Sequence, residues 1–133
     1  MNPQSSEHAE NLPPLESEAL VRRIADLAWE KKANNLRVLR VLELVSYTDY
    51  LVVMSARSDR QVAAVVRHIK DTLSVEAGLK PLSVEGTEQN QWAVIDYGDA
   101  VVHVFYEPVR VFYDLERLWS DCQSVPWRED ADG

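Results

Sequence analysis

Asp96 and His103 are the one acid and imidazole in this chain that short-range pattern can bring onto a shared surface. They lie in the run Trp92-Ala93-Val94-Ile95-Asp96-Tyr97-Gly98-Asp99-Ala100-Val101-Val102-His103-Val104-Phe105. Two strands joined by a tight turn at Gly98-Asp99 account for that run, because a two-residue loop containing glycine suits the primed hairpin turns. The register then sets Asp96 opposite Val101, Val94 opposite His103 and Trp92 opposite Phe105. Side chains alternate along a strand. One face therefore carries Trp92, Val94, Asp96, Val101, His103 and Phe105. The other carries Ala93, Ile95, Tyr97, Ala100, Val102, Val104 and Tyr106, and its small aliphatic residues suit a core. The first face mixes aromatics with an acid and an imidazole, which calls for hydrogen-bond partners inside the protein or a partner outside it.

Chemistry at this pair is weighed against a structural role. A metal site needs three or four converging ligands. His8 sits in a polar N-terminal tail and His68 on the polar face of a predicted helix, leaving His103, with Asp96 and Glu85 as the candidate neighbouring acids. No HxxxH or CxxC spacing supports a metal, and no cofactor is expected. The bland reading of His103 is a structural histidine bonded to Asp96 or to backbone. Phosphate binding wants glycines opening a helix. Ser55-Ala56-Arg57-Ser58-Asp59-Arg60 contains none; the favoured reading is Ser58 as a cap with Arg57 and Arg60 solvated, and the alternative is an anion held by Arg57 and the helix N-terminus. A nucleotidyl transferase needs two acids two apart on a strand after a Gly-Ser turn, to hold Mg²⁺. Asp96 and Asp99 are three apart and straddle a turn. The lone Cys122 has no basic cluster or obvious base beside it and allows no internal disulfide, which suits a reducing cytoplasm.

The elements that must position these residues follow from periodicity. Residues 1–16 are rich in Pro, Ser, Asn and Glu and are expected to be a disordered acidic tail. Ser17 opens a helix whose Leu20, Ile24, Leu27 and Ala28 recur at helical spacing to about Lys32. Leu36–Leu44 reads as a strand, 46–49 as a turn, and Tyr50–Met54 as a strand buried on both faces. Ser58 caps a second helix with Val62, Val65, Val66, Ile69 and Leu73 inward, and Gly78 stops it. A short strand over 81–85 precedes the hairpin. Val109–Ser120 is the last predicted helix, with Phe112, Leu115, Leu118 and Trp119 inward. Residues 121–133 are assigned to an acidic C-terminal tail. The expected fold is α/β: one domain over 17–120, a mixed sheet flanked by helices.

Length and charge narrow the function. A chain of 133 residues is one domain. No apolar run approaches a membrane span, and the N-terminus lacks the basic start and apolar stretch of a secretory signal. The formal charge is −8, yet residues 19–120 hold 13 Lys+Arg against 14 Asp+Glu, so the acidity sits in the tails. No basic footprint of direct nucleic-acid binding is visible, and little direct nucleic-acid contact is expected. Trp92 and Tyr97 stand near strand ends, where aromatics ringed by polar groups mark protein-binding sites.

At this point the residues resemble the ribosomal silencing factor, or Iojap, family. The resemblance spans about residues 19–120. Its pieces are Thr48-Asp49-Tyr50, Ser55, Ser58 with Arg60-Gln61-Val62, Glu85-Gly86, Trp92, Asp96-Tyr97-Gly98-Asp99, Val102-His103-Val104-Phe105, Arg110 and Tyr113-Asp114-Leu115-Glu116-Arg117-Leu118-Trp119. Each is weak alone; their order and spacing are specific. The resemblance implies a nucleotidyltransferase-like fold without its catalysis, and no enzymatic activity. It implies a translation repressor that binds the large ribosomal subunit through large-subunit ribosomal protein fourteen and blocks joining with the small subunit. Part in large-subunit biogenesis, a cytoplasmic location and a homodimer in the free state are implied with it. A mildly acidic, aromatic patch complements a basic ribosomal protein. The expected patch is Trp92, Asp96, Tyr97 and Asp99, with His103 and Glu116 as neighbours. The competing reading is a transferase or hydrolase of the same fold using Asp96 and His103.

Overall fold

A computed structural model describes residues 16–113 and 123–127. Helix α1 (Ser17–Glu30) turns Leu20, Val21, Ile24, Ala25, Leu27 and Ala28 inward at helical spacing. Ser17 does not cap it. Glu16 holds that position without a side-chain bond, and the Ser17 hydroxyl donates to the Asp99 carboxylate at 3.2 Å instead. The helix stops two residues before the expected Lys32, which takes a left-handed φ of +68°. Helix α2 (Asp59–Ala77) is as expected. The Ser58 hydroxyl accepts from the Gln61 amide at 3.0 Å, and Gly78 closes the helix at φ +63°.

The strands are β1 (Asn34–Arg40), β2 (Tyr50–Ala56), β3 (Ser83–Glu85), β4 (Trp92–Asp96), β5 (Ala100–Tyr106) and β6 (Gln123–Ser124), with helix α3 (Glu107–Tyr113) following β5. They form one mixed sheet in the order β3-β4-β5-β2-β1-β6. Only β2 and β5 run parallel, Tyr50 beside Ala100 through Ala56 beside Tyr106. The β4–β5 hairpin has the expected register, Asp96 to Val101, Val94 to His103 and Trp92 to Phe105. Its turn closes with Tyr97 N donating to Ala100 O at 2.9 Å, and Gly98 adopts the φ of +89° that the turn requires.

Alternation divides the sheet's residues between two cores. The face under α1 and α2 buries Val38, Val52, Met54, Ala93, Ile95, Val102 and Val104. The opposite face buries Leu39, Val41, Leu51, Val53, Val101 and Phe105, with Trp92, Val94 and Val109 partly enclosed against them. This second face bears the candidate site.

Three expectations are corrected. β1 ends at Arg40, not Leu44. Val41 N pairs with Asp49 O at 2.8 Å and Val45 N with Val41 O at 3.0 Å, so the chain makes a helical turn there. That turn aligns Val41 and Val45 one turn apart against the second core and leaves Leu42 and Leu44 exposed. The last helix starts at Glu107, two residues early, and its expected stretch beyond 113, with Leu115, Glu116, Leu118 and Trp119, lies outside the described residues. The assigned acidic C-terminal tail contains ordered chain. Gln123 and Ser124 pair with Arg40 and Leu39, and Val125 N donates to Val38 O at 2.8 Å. Val125 and Trp127 are buried, with the Trp127 ring 5.6 Å from that of Trp29. Alternating apolar residues drive this segment onto the β1 edge; their acidic surroundings masked the pattern. Residues 1–15 of the expected N-terminal tail lie outside the described residues.

Candidate functional site

Three rings meet on the second face of the hairpin. Trp92 lies over Phe105 with centroids 4.9 Å apart and planes at 28°. His103 stands 6.1 Å from Trp92 and 6.2 Å from Phe105. Phe105 is fully buried beneath the other two, which remain partly open to solvent. The Trp92 indole Nε1–H donates to His103 Nδ1 at 3.0 Å. Indole nitrogen only donates, so Nδ1 must be unprotonated and the imidazole proton sits on Nε2.

Of the two partners expected for His103, Asp96 or backbone, the Asp96 bond is not formed, and the ring bonds the Trp92 indole instead. Asp96 is the diagonal neighbour of His103 across the hairpin, a separation of roughly 7–8 Å that a short carboxylate does not bridge. Trp92 is the other diagonal neighbour, and its long ring reaches. The Asp96 carboxylate instead accepts from the Gly98 amide at 2.8 Å, pinning the turn. Asp99 also works at the turn: its carbonyl accepts from the amides of Asp49 and Tyr50, both at 3.1 Å, so Thr48-Asp49-Tyr50 is anchored at the start of β2. The acid and the imidazole of the competing enzymatic reading thus each serve another partner.

The expected patch is therefore split. Trp92 and His103 lie at one end of the hairpin, Asp96 and Asp99 at the other. Tyr97 leaves the patch: alternation puts it on the helix-covered face, where it is buried. Its hydroxyl has no hydrogen-bond partner among the described residues, and burial pushes its pKa up to about 12. Glu116 lies outside the described residues.

Beside Trp92 the structure opens a cleft of about 780 Å³ between the β3–β4 loop and the start of α3. Glu85, Glu88, Trp92, Pro108 and Val109 are among its walls, and none of its lining among the described residues is a cation. Two devices hold this geometry. Gly86, at φ +81°, lets the loop press on β4, where a Cβ would lie 2.1 Å from the Trp92 carbonyl oxygen. Arg110 is buried, and its guanidinium donates to Asn35 O at 2.6 Å and Ser55 Oγ at 2.9 Å, which fixes α3 against the ends of β1 and β2. Sequence reading singled out Glu85 but missed Glu88, Pro108 and Val109. Their loop and helix-start positions follow no period, and only the close approach at Gly86 signals the cleft.

Burial lowers the His103 pKa to about 4. Its ordinary value is near 6.5, so the unfolded chain takes up a proton that the folded chain refuses. The stabilising term is complete above about pH 6.5 and is lost as pH falls toward 4. At pH 5 the loss is about 2 kcal/mol. Urea unfolding at pH 7.5 and pH 5 checks this. His103→Gln, which cannot titrate, is expected to flatten that part of the profile; an unchanged profile in the variant would place the proton uptake elsewhere.

Comparison with known proteins matches residues 14–132 to the family described as ribosomal silencing factor during starvation. The chain is 33% identical over 108 residues to the ribosomal silencing factor RsfS of Bacillus subtilis, covering 81% of this chain and 91% of that one. It is 29% identical over 99 residues to the mouse protein named mitochondrial assembly of ribosomal large subunit protein 1, covering 73% of this chain and 43% of that one. A crystal structure of a Chromobacterium violaceum protein superimposes with a TM-score of 0.76 at 30% identity, covering 88% of this chain and 96% of that one. With its fold, the spacing of its motifs and these likenesses in agreement, the chain belongs to the ribosomal silencing factor family.

Proposed function

We propose that this protein represses translation by binding the large ribosomal subunit, through ribosomal protein fourteen, and sterically blocking the small subunit from joining. The observation that carries the reading is the ring cluster of Trp92, His103 and Phe105 beside a cleft that, among the described residues, is lined by Glu85 and Glu88 and by no cation. Occlusion needs a rigid domain with a specific grip and no catalytic group. An aromatic anchor in an acidic setting suits a basic ribosomal protein. The family assignment supports silencing, and the name of the mouse relative links that protein to large-subunit assembly. A part in large-subunit biogenesis, a homodimeric free state and a cytoplasmic location belong to the same proposal.

Sedimentation with separated subunits, followed by a joining assay, tests it. The protein is expected to pellet with large subunits alone and to suppress joining at saturation. Equal binding to both subunits, or unchanged joining, refutes it. Trp92→Ala is expected to weaken large-subunit binding at least about tenfold, since losing a central Trp anchor costs ~2 kcal/mol or more. Trp92→Phe keeps a ring over Phe105 but loses the bond to His103, and is expected to fall between the two. Undiminished binding by Trp92→Ala would move the grip off this face.

A further inference from the structure

The fold assembles a basic surface that the linear sequence hides. Lys31 and Lys32 lie in the turn between α1 and β1; Arg57 and Arg60 flank the start of α2. The Gln61 side chain ties the two segments together. Its amide donates to Lys31 O and Lys32 O, both at 3.0 Å, and its Oε1 accepts from the Arg57 amide at 2.6 Å. All four cationic residues are exposed. No ion pair engages them among the described residues. The acids nearest in sequence are Asp59, which is exposed, and Glu30, which lies 2.8 Å from His68 and 3.9 Å from Arg23. Four unpaired cations, with exposed Asp59 and, by the pairing of Ala56 with Tyr106, exposed Glu107 as the nearby carboxylates, stand out on a chain of charge −8.

We infer that Lys31, Lys32, Arg57 and Arg60 form a rim that binds the phosphate backbone of RNA. The inference rests on the proposed function for its setting: a large subunit carries ribosomal RNA as well as protein. It also reverses the expectation of little direct nucleic-acid contact. Position supports it. Ala56, next to Arg57, pairs with Tyr106, and the adjoining Phe105 pairs with Trp92. Arg57 therefore lies at the Trp92 end of the sheet, its strand two across from β4, or roughly 10 Å; Lys31, Lys32 and Arg60 extend the rim from that end onto the helix-covered side. A domain seated through Trp92 would present these cations to phosphates beside its protein partner. Ser58, Asn34 and Asn35 among them are polar, as befits phosphate contacts, which position a protein without reading bases.

The test compares wild type with a variant carrying Lys31→Gln, Lys32→Gln, Arg57→Gln and Arg60→Gln, after melting shows both folded. Two probes are titrated between about 50 and 200 mM salt: intact large subunits, and protein-free RNA extracted from them. Each phosphate contact adds about 0.7–0.9 to the slope of log affinity against log salt, so the variant's slope is expected to be shallower by about 3. Its affinity for both probes is expected to fall at least about tenfold at the low-salt end. Identical slopes and affinities overturn the inference. If subunit binding needs the four cations but wild type ignores bare RNA, the partner is an acidic protein surface, and the RNA assignment falls. If wild type ignores subunits but holds bare RNA through these cations, the proposed function fails and the rim stands.

Discussion

Phe105→Ala is expected to destabilise the domain by about 3–5 kcal/mol. Phe105 is completely buried and lies in the second core with Leu51, Val53 and Val101. Truncation removes a ring's worth of burial and leaves a cavity between β5 and Trp92. It also removes the surface on which Trp92 rests at 4.9 Å, so large-subunit affinity is expected to fall with stability. Phe105→Leu, which keeps most of the volume, should cost less than about 1.5 kcal/mol. Urea unfolding of both variants at pH 7.5 makes the comparison. A Phe105→Ala loss under about 1 kcal/mol would mean that neighbours collapse into the gap and that Phe105 is not the footing of the site.

Gly86→Ala is expected to cost about 3 kcal/mol or to detach β3. Two effects act together. The φ of +81° strains any residue with a Cβ, and the new atom would lie 2.1 Å from Trp92 O and 3.1 Å from Ala93 Cα. These are backbone atoms, so no rotamer change relieves the clash. Something must shift, and the three-residue strand β3 is the weakest tie. Hydrogen exchange should show lost protection over Ser83–Glu85 and Trp92–Asp96, where β3 and β4 pair. A variant as stable and as protected as wild type would show that the loop relaxes without leaving β4.

The hairpin was legible in the sequence because three signals agreed: alternation, a Gly-Asp turn and a run free of proline. Both long helices were legible for a similar reason, each having a complete apolar stripe, and α2 also a cap and a stop. The buried run Tyr50–Met54 announced a central strand, and it is flanked on both sides. What escaped depends on contacts between distant segments. Whether His103 bonds Asp96 or Trp92 is decided by side-chain reach across a diagonal, which strand pattern does not encode. Position at a strand end suggests the patch for Tyr97, while alternation puts it on the core face, and alternation prevails. The C-terminal strand is two residues long and was hidden by acidic neighbours. The basic rim needed Gln61 to join turns nearly thirty residues apart.

The parallel pairing of β2 with β5 has a consequence for how the chain can be made. β2 is apolar on both faces, and its two sheet neighbours are β1 and β5. Until Ala100–Tyr106 has been synthesised, one whole edge of β2 has no strand to pair with. A nascent or truncated chain ending before Ala100 would present Tyr50–Ala56, apolar and unpaired, to its surroundings. The first half of the molecule is thus no independent folding unit. Its contacts close only across some fifty residues of sequence, which favours slow, all-or-none folding after β5 is available. Fragments that carry the basic rim but stop short of β5 should be recovered as aggregates rather than as miniature binding domains.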